Sequence, residues 1–377
     1  MDFDLTWILL GLPVAFVLGW LASRLDLRQL RIENRQAPKA YFKGLNYLLN
    51  EQQDQAIDAF IEAVQNDPDT SELHFALGNL FRKRGEYERA VRVHEHLLSR
   101  GDLNQADRDR AQHALALDFL KAGLLDRAEG ALRKLEGTAF EGQARLALLA
   151  IYERSRDWVQ ASEVARKLGA AGEGHFGARV AHYLCEQATA MADADSEPLL
   201  RQAMELAPDA PRPQMMLAAL HSRRGHESQA MDALLAAVRS APGSTPLIAG
   251  ALARTAKACG RTAEALEWLQ SHYAQRASLD VLEALVQLEP DPAHARLLYA
   301  RHLEREPSLV AAAQWLSGEQ LAHNEFHDPV QRALDHAVKP LTRYRCAACG
   351  FEARQHFWQC PGCQAWDSYP AQRVEEL

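Results

Sequence analysis

Four stretches of this chain can be laid over one another: "FRKRGEYERAVRVHEHL", "FLKAGLLDRAEGALRKL", "HSRRGHESQAMDALLAA" and "AKACGRTAEALEWLQSH". Each places a glycine in a turn and an alanine five residues later: Gly85 and Ala90, Gly123 and Ala128, Gly225 and Ala230, Gly260 and Ala265. The glycine allows one helix to end in a tight left-handed turn, and the small alanine allows the next helix to pack close against it. A chain that repeats this device is committed to an all-α array of helix pairs, because each pair alone cannot bury its apolar face.

The pattern resembles tetratricopeptide repeats, whose unit of about thirty-four residues carries small residues near positions 8 and 20, aromatics near 11 and 24, and proline near 32. Residues 37–70 fit most fully, with Gly44, Tyr47, Ala56, Phe60, Ala63 and Pro68 at the six diagnostic places. Pro208, Pro242 and Pro307 mark further repeat ends. About eight units begin near 37, 71, 109, 142, 177, 211, 246 and 276, so the predicted solenoid spans 37–340, with degenerate units near 177 and 276. Stacked pairs expose a curved inner groove suited to binding a peptide or protein, and such a scaffold supplies no chemistry of its own. Lys83, Lys121, Arg154 and Arg223 share one position near the end of the first helix of four units, with Lys257 one place earlier in another. They form either a basic ladder for an acidic partner segment or the cations that any helix favours in its last turn. The carboxylate clamp of tetratricopeptide co-chaperones is not matched, since Asn79 alone resembles a clamp residue.

Ahead of the repeats, "LTWILLGLPVAFVLGWLA" from Leu5 to Ala22 carries no charge over eighteen residues. As a helix it would rise about 27 Å, enough to cross a bilayer's hydrocarbon layer. Trp7 and Trp20 sit near its ends, as interfacial aromatics do, and Pro13 is tolerable there. A cleaved signal peptide would need a basic start, whereas Asp2 and Asp4 stand here. Arg24, Arg28, Arg31, Arg35 and Lys39 follow. The positive-inside rule then predicts a single-pass inner-membrane protein with a transmembrane anchor at 1–22, a periplasmic N-terminus, a juxtamembrane segment at 23–36 and the bulk of the chain in the cytoplasm. The formal charge of −8 argues against general nucleic-acid binding, which needs a surplus of Lys and Arg.

From about Leu341 the rhythm stops, and "YRCAACGFEARQHFWQCPGC" sets two cysteine pairs ten residues apart. C-x2-C-x10-C-x2-C lets two knuckles converge four thiolates on one tetrahedral metal, so Cys346, Cys349, Cys360 and Cys363 are the candidate ligands, for zinc or for iron. A redox pair would need one C-x-x-C near a βαβ pattern, and haem attachment would need histidine where Gly350 and Gln364 stand. His356 is not needed, because the cysteines complete a set of four. Cys185 and Cys259 stand alone in helical text and read as small core residues. The half-sites "YRCAACG" and "CPGC" resemble those of rubredoxin, with Phe351, Phe357, Trp358 and Trp366 as the expected aromatic core of a domain at 341–377. Two departures are the short interval between knuckles and Gln364 in place of glycine, a residue without glycine's freedom for the left-handed turn. So small a module cannot fold by apolar burial alone, while metal binding contributes on the order of 10 kcal/mol, which makes a structural role the default. It is expected to dock on the last repeats near "AAAQWLSGEQLAHNEF", residues 311–326.

A hydrophobic N-terminal span, tetratricopeptide repeats and a rubredoxin-like knuckle, in that order over the whole length, resemble the lipopolysaccharide assembly protein B family. The resemblance implies a non-enzymatic inner-membrane adaptor that brings the UDP-acyl-GlcNAc deacetylase of the lipid A pathway to a membrane-anchored AAA+ protease, opposed by an inner-membrane lipopolysaccharide sensor. It is also compatible with a homodimer. The alternative is a membrane-anchored, rubredoxin-type electron carrier. No P-loop, nucleophile elbow or paired catalytic carboxylates point to an enzyme.

Overall fold

The computed structural model describes residues 16–20, 39–320 and 323–377. The expected anchor, Leu5–Ala22, lies outside the described residues except for 16–20, as does the juxtamembrane segment 23–36. No helix among the described residues is long and apolar enough to cross a membrane, and the expectation of a single-pass inner-membrane topology is corrected accordingly.

The chain divides into two compact units, residues 1–155 and 156–377. The first contains α1 (39–49), α2 (Gln53–Asn66), α3 (Ser71–Arg84), α4 (Tyr87–Ser99), α5 (Gln105–Ala122), α6 (Leu125–Arg133) and α7 (Glu141–Ser155). The second contains α8 (Trp158–Ala170), α9 (Gly177–Ala190), α10 (Asp193–Leu206), α11 (Pro211–Arg223), α12 (Glu227–Ser240), α13 (Thr245–Cys259), α14 (Thr262–Gln275), α15 (Leu279–Leu288), α16 (Pro292–Arg305), α17 (Leu309–Ser317) and α18 (His327–Val338), followed by a two-stranded ribbon of β1 (Tyr344–Arg345) and β2 (Glu352–Ala353). Both are built from tetratricopeptide helix pairs. The extra residues near 109 are absorbed by an early start of α5, and α17 with α18 forms a pair beyond the eight units counted in the sequence.

The repeated glycines do what their spacing implies. Gly85, Gly123, Gly225 and Gly260 all have φ between 73° and 85°. After Gly85 the N–H of Glu86 donates to the Phe81 carbonyl at 2.9 Å, and after Gly123 that of Leu124 donates to Phe119 at 2.9 Å, which satisfies the last carbonyls of α3 and α5. Ala90, Ala128, Ala230 and Ala265 are fully buried. Where the sequence offers no glycine, Arg156 takes the left-handed conformation itself (φ 58°), and the matching Ala161 is buried in the same way. In the first pairs, a Cβ on Gly44 would come within 2.8 Å of the Phe60 ring, so the glycine is what lets that ring enter the cluster with Ala56, Ala63, Leu77 and Phe81.

His94 of α4 lies in the core. Its Nδ1 meets the buried Asp118 carboxylate at 2.5 Å, and Arg82 holds the other carboxylate oxygen at 2.8 Å. Arg82 also bonds the Asn79 side chain, so that residue is already engaged within the helices.

Candidate metal centre

The C-terminal ribbon is two short hairpins of like construction. In the first, β1 pairs antiparallel with β2, with Tyr344 opposite Ala353 and Arg345 opposite Glu352. In the second, Gln359 bridges Trp366. Inside each, the first cysteine's N–H donates across the hairpin, Cys346 to Phe351 and Cys360 to Ala365, both at 2.9 Å. The residue after each second cysteine then donates back to the first, Gly350 to Cys346 and Gln364 to Cys360, both at 2.8 Å. That return requires a left-handed residue, and Gln364 adopts it (φ 62°) as Gly350 does (φ 77°), contrary to the expectation from its side chain. A non-glycine residue pays roughly 1–2 kcal/mol for this conformation.

The four Sγ atoms lie within 4.8 Å of one another, with Cys346 to Cys363 at 3.8 Å and Cys349 to Cys360 at 3.7 Å. Tetrahedral coordination with bonds of about 2.3 Å requires sulfur separations of about 3.8 Å, so the set fits zinc or iron. Electrostatics point the same way. Burial opposes ionisation of Cys346, yet the Ser368 hydroxyl and the N–H groups of Cys349 and Ala348 outweigh it and bring the thiol down to about 6. For Cys349 the Phe351 N–H favours the thiolate, but desolvation and the neighbouring sulfurs prevail and push it up to about 12. Four sulfurs this close cannot all ionise alone; a divalent cation supplies the missing charge. His356 is no ligand: its Nε2 donates to the Tyr369 carbonyl at 3.1 Å, and burial lowers its pKa. Cys185 is buried and pushed up to about 12 by desolvation, as a core thiol should be, and Cys259 is half-buried.

The expected aromatic core is only partly right. Tyr344 and Tyr369 fill it with Cys346 and Cys360, and Phe357 packs alongside, whereas Phe351 is exposed. Trp358 and Trp366 face the helices instead. Trp366 stacks on His182 of α9 at 4.8 Å and meets Trp158 of α8 and Tyr183 edge-on at 6.0 and 5.8 Å. Asp367 accepts from His182 Nε2 at 2.8 Å, and Arg212 of α11 approaches His182 Nδ1 at 3.3 Å while pairing with Glu186. Leu247 of α13 packs on the ribbon core. Leu341 joins the cluster around Val310 and Ala311, so the domain meets the expected dock at its edge, while the knuckles themselves lie further upstream, against α8, α9, α11 and Leu247 of α13. His182, Arg212 and Asp367 escaped sequence reasoning because the partners stand 185 residues apart and carry no local motif.

Of the predicted basic positions, Lys83, Lys121 and Arg154 are exposed in the last turns of α3, α5 and α7. Arg223, in the last turn of α11, is bonded to Asp193 at 2.8 Å and is therefore not free. Lys83 borders an apolar hollow formed by Leu45, Leu48, Phe60, Ala76 and Leu80.

Comparison with known proteins follows this division. Residues 344–369 match the rubredoxin metal binding domain family, and 73–109 and 276–323 match tetratricopeptide repeat families. Lipopolysaccharide assembly protein B of Escherichia coli (strain K12) is 30% identical over 375 residues, covering 96% of each chain, and that of Haemophilus influenzae is 25% identical, again covering 96% of each. A solved structure of Naa15/Naa10 bound to HypK-THB overlays 81% of this chain and 48% of its own with a TM-score of 0.48 at 12% identity. With the relatives matched end to end through both the repeats and the four-cysteine ribbon, the chain belongs to the lipopolysaccharide assembly protein B family.

Proposed function

We propose that this protein is a non-enzymatic adaptor that restrains lipopolysaccharide synthesis by bringing the UDP-acyl-GlcNAc deacetylase of the lipid A pathway to an AAA+ protease, with a lipopolysaccharide sensor protein opposing it. The observation that carries the reading is the end-to-end match to lipopolysaccharide assembly protein B, at 30% identity over 96% of both chains. Its physical basis is effective concentration: helix pairs present separate surfaces, and two proteins held on one scaffold meet at concentrations that neither reaches free. Exposed Lys83, Lys121 and Arg154 offer an acidic partner segment cations that no described carboxylate engages.

In this reading the ribbon's metal serves shape. Cys346, Cys349, Cys360 and Cys363 would hold zinc or iron, and the cation would neutralise the thiolates and fix the two hairpins together. Trp358 and Trp366, turned onto the helices, favour such a structural part over the alternative of an electron carrier. The test is deacetylase lifetime in cells that carry or lack this protein, together with recovery of deacetylase and protease on the purified full chain. Longer lifetime on deletion, restored by zinc-loaded protein, is expected; an unchanged lifetime refutes the adaptor reading.

A further inference from the structure

The last turn of the chain, Val374–Glu376, lies between the starts of two first helices. Glu376 accepts from the Leu279 N–H at 2.8 Å, the first residue of α15. Glu375 accepts from the N–H groups of Leu309 and Val310 at 2.6 and 3.2 Å and from the Ser308 hydroxyl at 2.7 Å, at the start of α17. Two successive carboxylates thus serve as N-caps for two separate helices, the position at which a negative charge complements unpaired N–H groups and the helix dipole. Ser278, which precedes α15, makes no side-chain cap of its own, so the donor at Leu279 depends on a residue 97 positions away.

The same turn is bonded on its other side to the residues that lead into β1 and the first knuckle. Val374 N–H donates to the Arg343 carbonyl at 2.7 Å, and Glu375 N–H to Leu341 at 3.1 Å. Arg373 donates to the Thr342 carbonyl at 2.8 Å, lies 4.2 Å over the Tyr344 ring, and forms a forked pair with Asp280 of α15 at 2.9 and 2.6 Å. Tyr344 stands two residues before Cys346 and packs with it in the ribbon core. A continuous bonded path therefore runs from the starts of α15 and α17 through the terminal turn to the first pair of sulfur ligands.

We infer that Glu375 and Glu376 are positioning residues for the metal site: by capping α15 and α17 they hold the segment 341–345, the turn that leads into β1 and β1 itself, in place and keep the first knuckle closed on its ion. This rests on the reading of the four cysteines as a metal site. The bonds that do the holding are made by a terminal turn that touches no sulfur.

The experiment compares the full chain with E375A/E376A and with E375Q/E376Q, all loaded with zinc. The rate of zinc transfer to an excess of chromophoric chelator is recorded alongside hydrogen exchange at Leu279, Leu309 and Val310. The alanine pair should release zinc roughly tenfold faster and exchange these amides faster, with the glutamine pair between it and wild type, since an amide oxygen still accepts but carries no charge. Helix content by circular dichroism should match wild type, because the caps lie outside the helix interiors. Faster exchange with an unaltered zinc release rate would overturn the inference, as would glutamine variants indistinguishable from alanine in both readouts. A wild-type chain that takes up no zinc or iron would overturn the metal site itself, a separate failure visible before any variant is compared.

Discussion

The helix pairs and the ribbon hold their shape by opposite means. In the pair of α1 and α2, order is local: Gly44 admits Phe60, Ala56 and Ala63 bring the backbones together, and a cluster of apolar side chains closes around them. In the ribbon, the buried core amounts to Tyr344, Tyr369 and two of the metal ligands, too little apolar surface to offset the entropy of ordering some thirty residues. What the ribbon lacks in core it gains from an ion and from helices far away in sequence. Thus the first pairs draw their order from their own residues, while the ribbon depends on both its metal and its dock.

Removing a ligand should show this asymmetry at its largest. Cys360→Ser leaves three thiolates and forfeits much of a binding energy on the order of 10 kcal/mol, so residues 341–377 should lose protection from proteolysis while α2 to α6 keep theirs. Equal resistance of the ribbon in wild type and variant would break the comparison. Trp366→Ala attacks the dock instead. It removes an indole packed on His182, Tyr183 and Trp158, and should cost about 3 kcal/mol in urea unfolding of the second unit, with all four ligands still present. Gly44→Ala addresses the other region. Its methyl would collide with Phe60 and should destabilise the first pairs by about 1–3 kcal/mol without altering metal retention.

Two smaller effects sharpen the picture. Gln364→Gly relieves a left-handed glutamine, and should stabilise the second knuckle by about 1 kcal/mol after the extra entropy of glycine in the unfolded chain is set against the strain. A destabilised variant would mean that the glutamine side chain contributes something beyond its backbone. Acid provides the other. Burial lowers the pKa of His356 in the ribbon and of His302 in α16. For groups whose pKa falls on folding, stability is complete above the unfolded value near 6.5 and is lost as pH falls through the lowered folded value. Urea midpoints of the zinc-loaded chain should therefore decline from pH 7 to pH 5, and His356→Phe should flatten that decline by a fraction of its size.

The same contrast explains what the sequence disclosed. Gly85 with Ala90, Gly123 with Ala128 and their counterparts could be read directly, because a helical turn and the helix that follows it are decided by residues within a few positions. The four cysteines were legible for the same reason: each knuckle is a local device, and ligand chemistry fixes its residue types. The dock was not. Nothing in "QAWDSYP" announces that Trp366 will stack on His182 or that Asp367 will bind it, and nothing in "RVEEL" marks Glu375 and Glu376 as caps for helices 66 and 97 residues upstream. Aromatic residues near cysteines suggested a private core; two of them turned out to be the surface by which the ribbon is held. Arg156 and Gln364 show where residue type misleads: each takes a glycine's conformation because its own turn requires it.

The central claim is that the ion in the ribbon shapes the helices around it. Hydrogen exchange of the full chain, zinc-loaded and then stripped by chelator, tests it most directly. The account predicts lost protection in 341–377 together with the starts of α9, α11, α15 and α17, where His182, Arg212, Leu279 and Leu309 meet the ribbon and its terminal turn. Loss confined to 341–377, with those helix starts as protected as before, would contradict it.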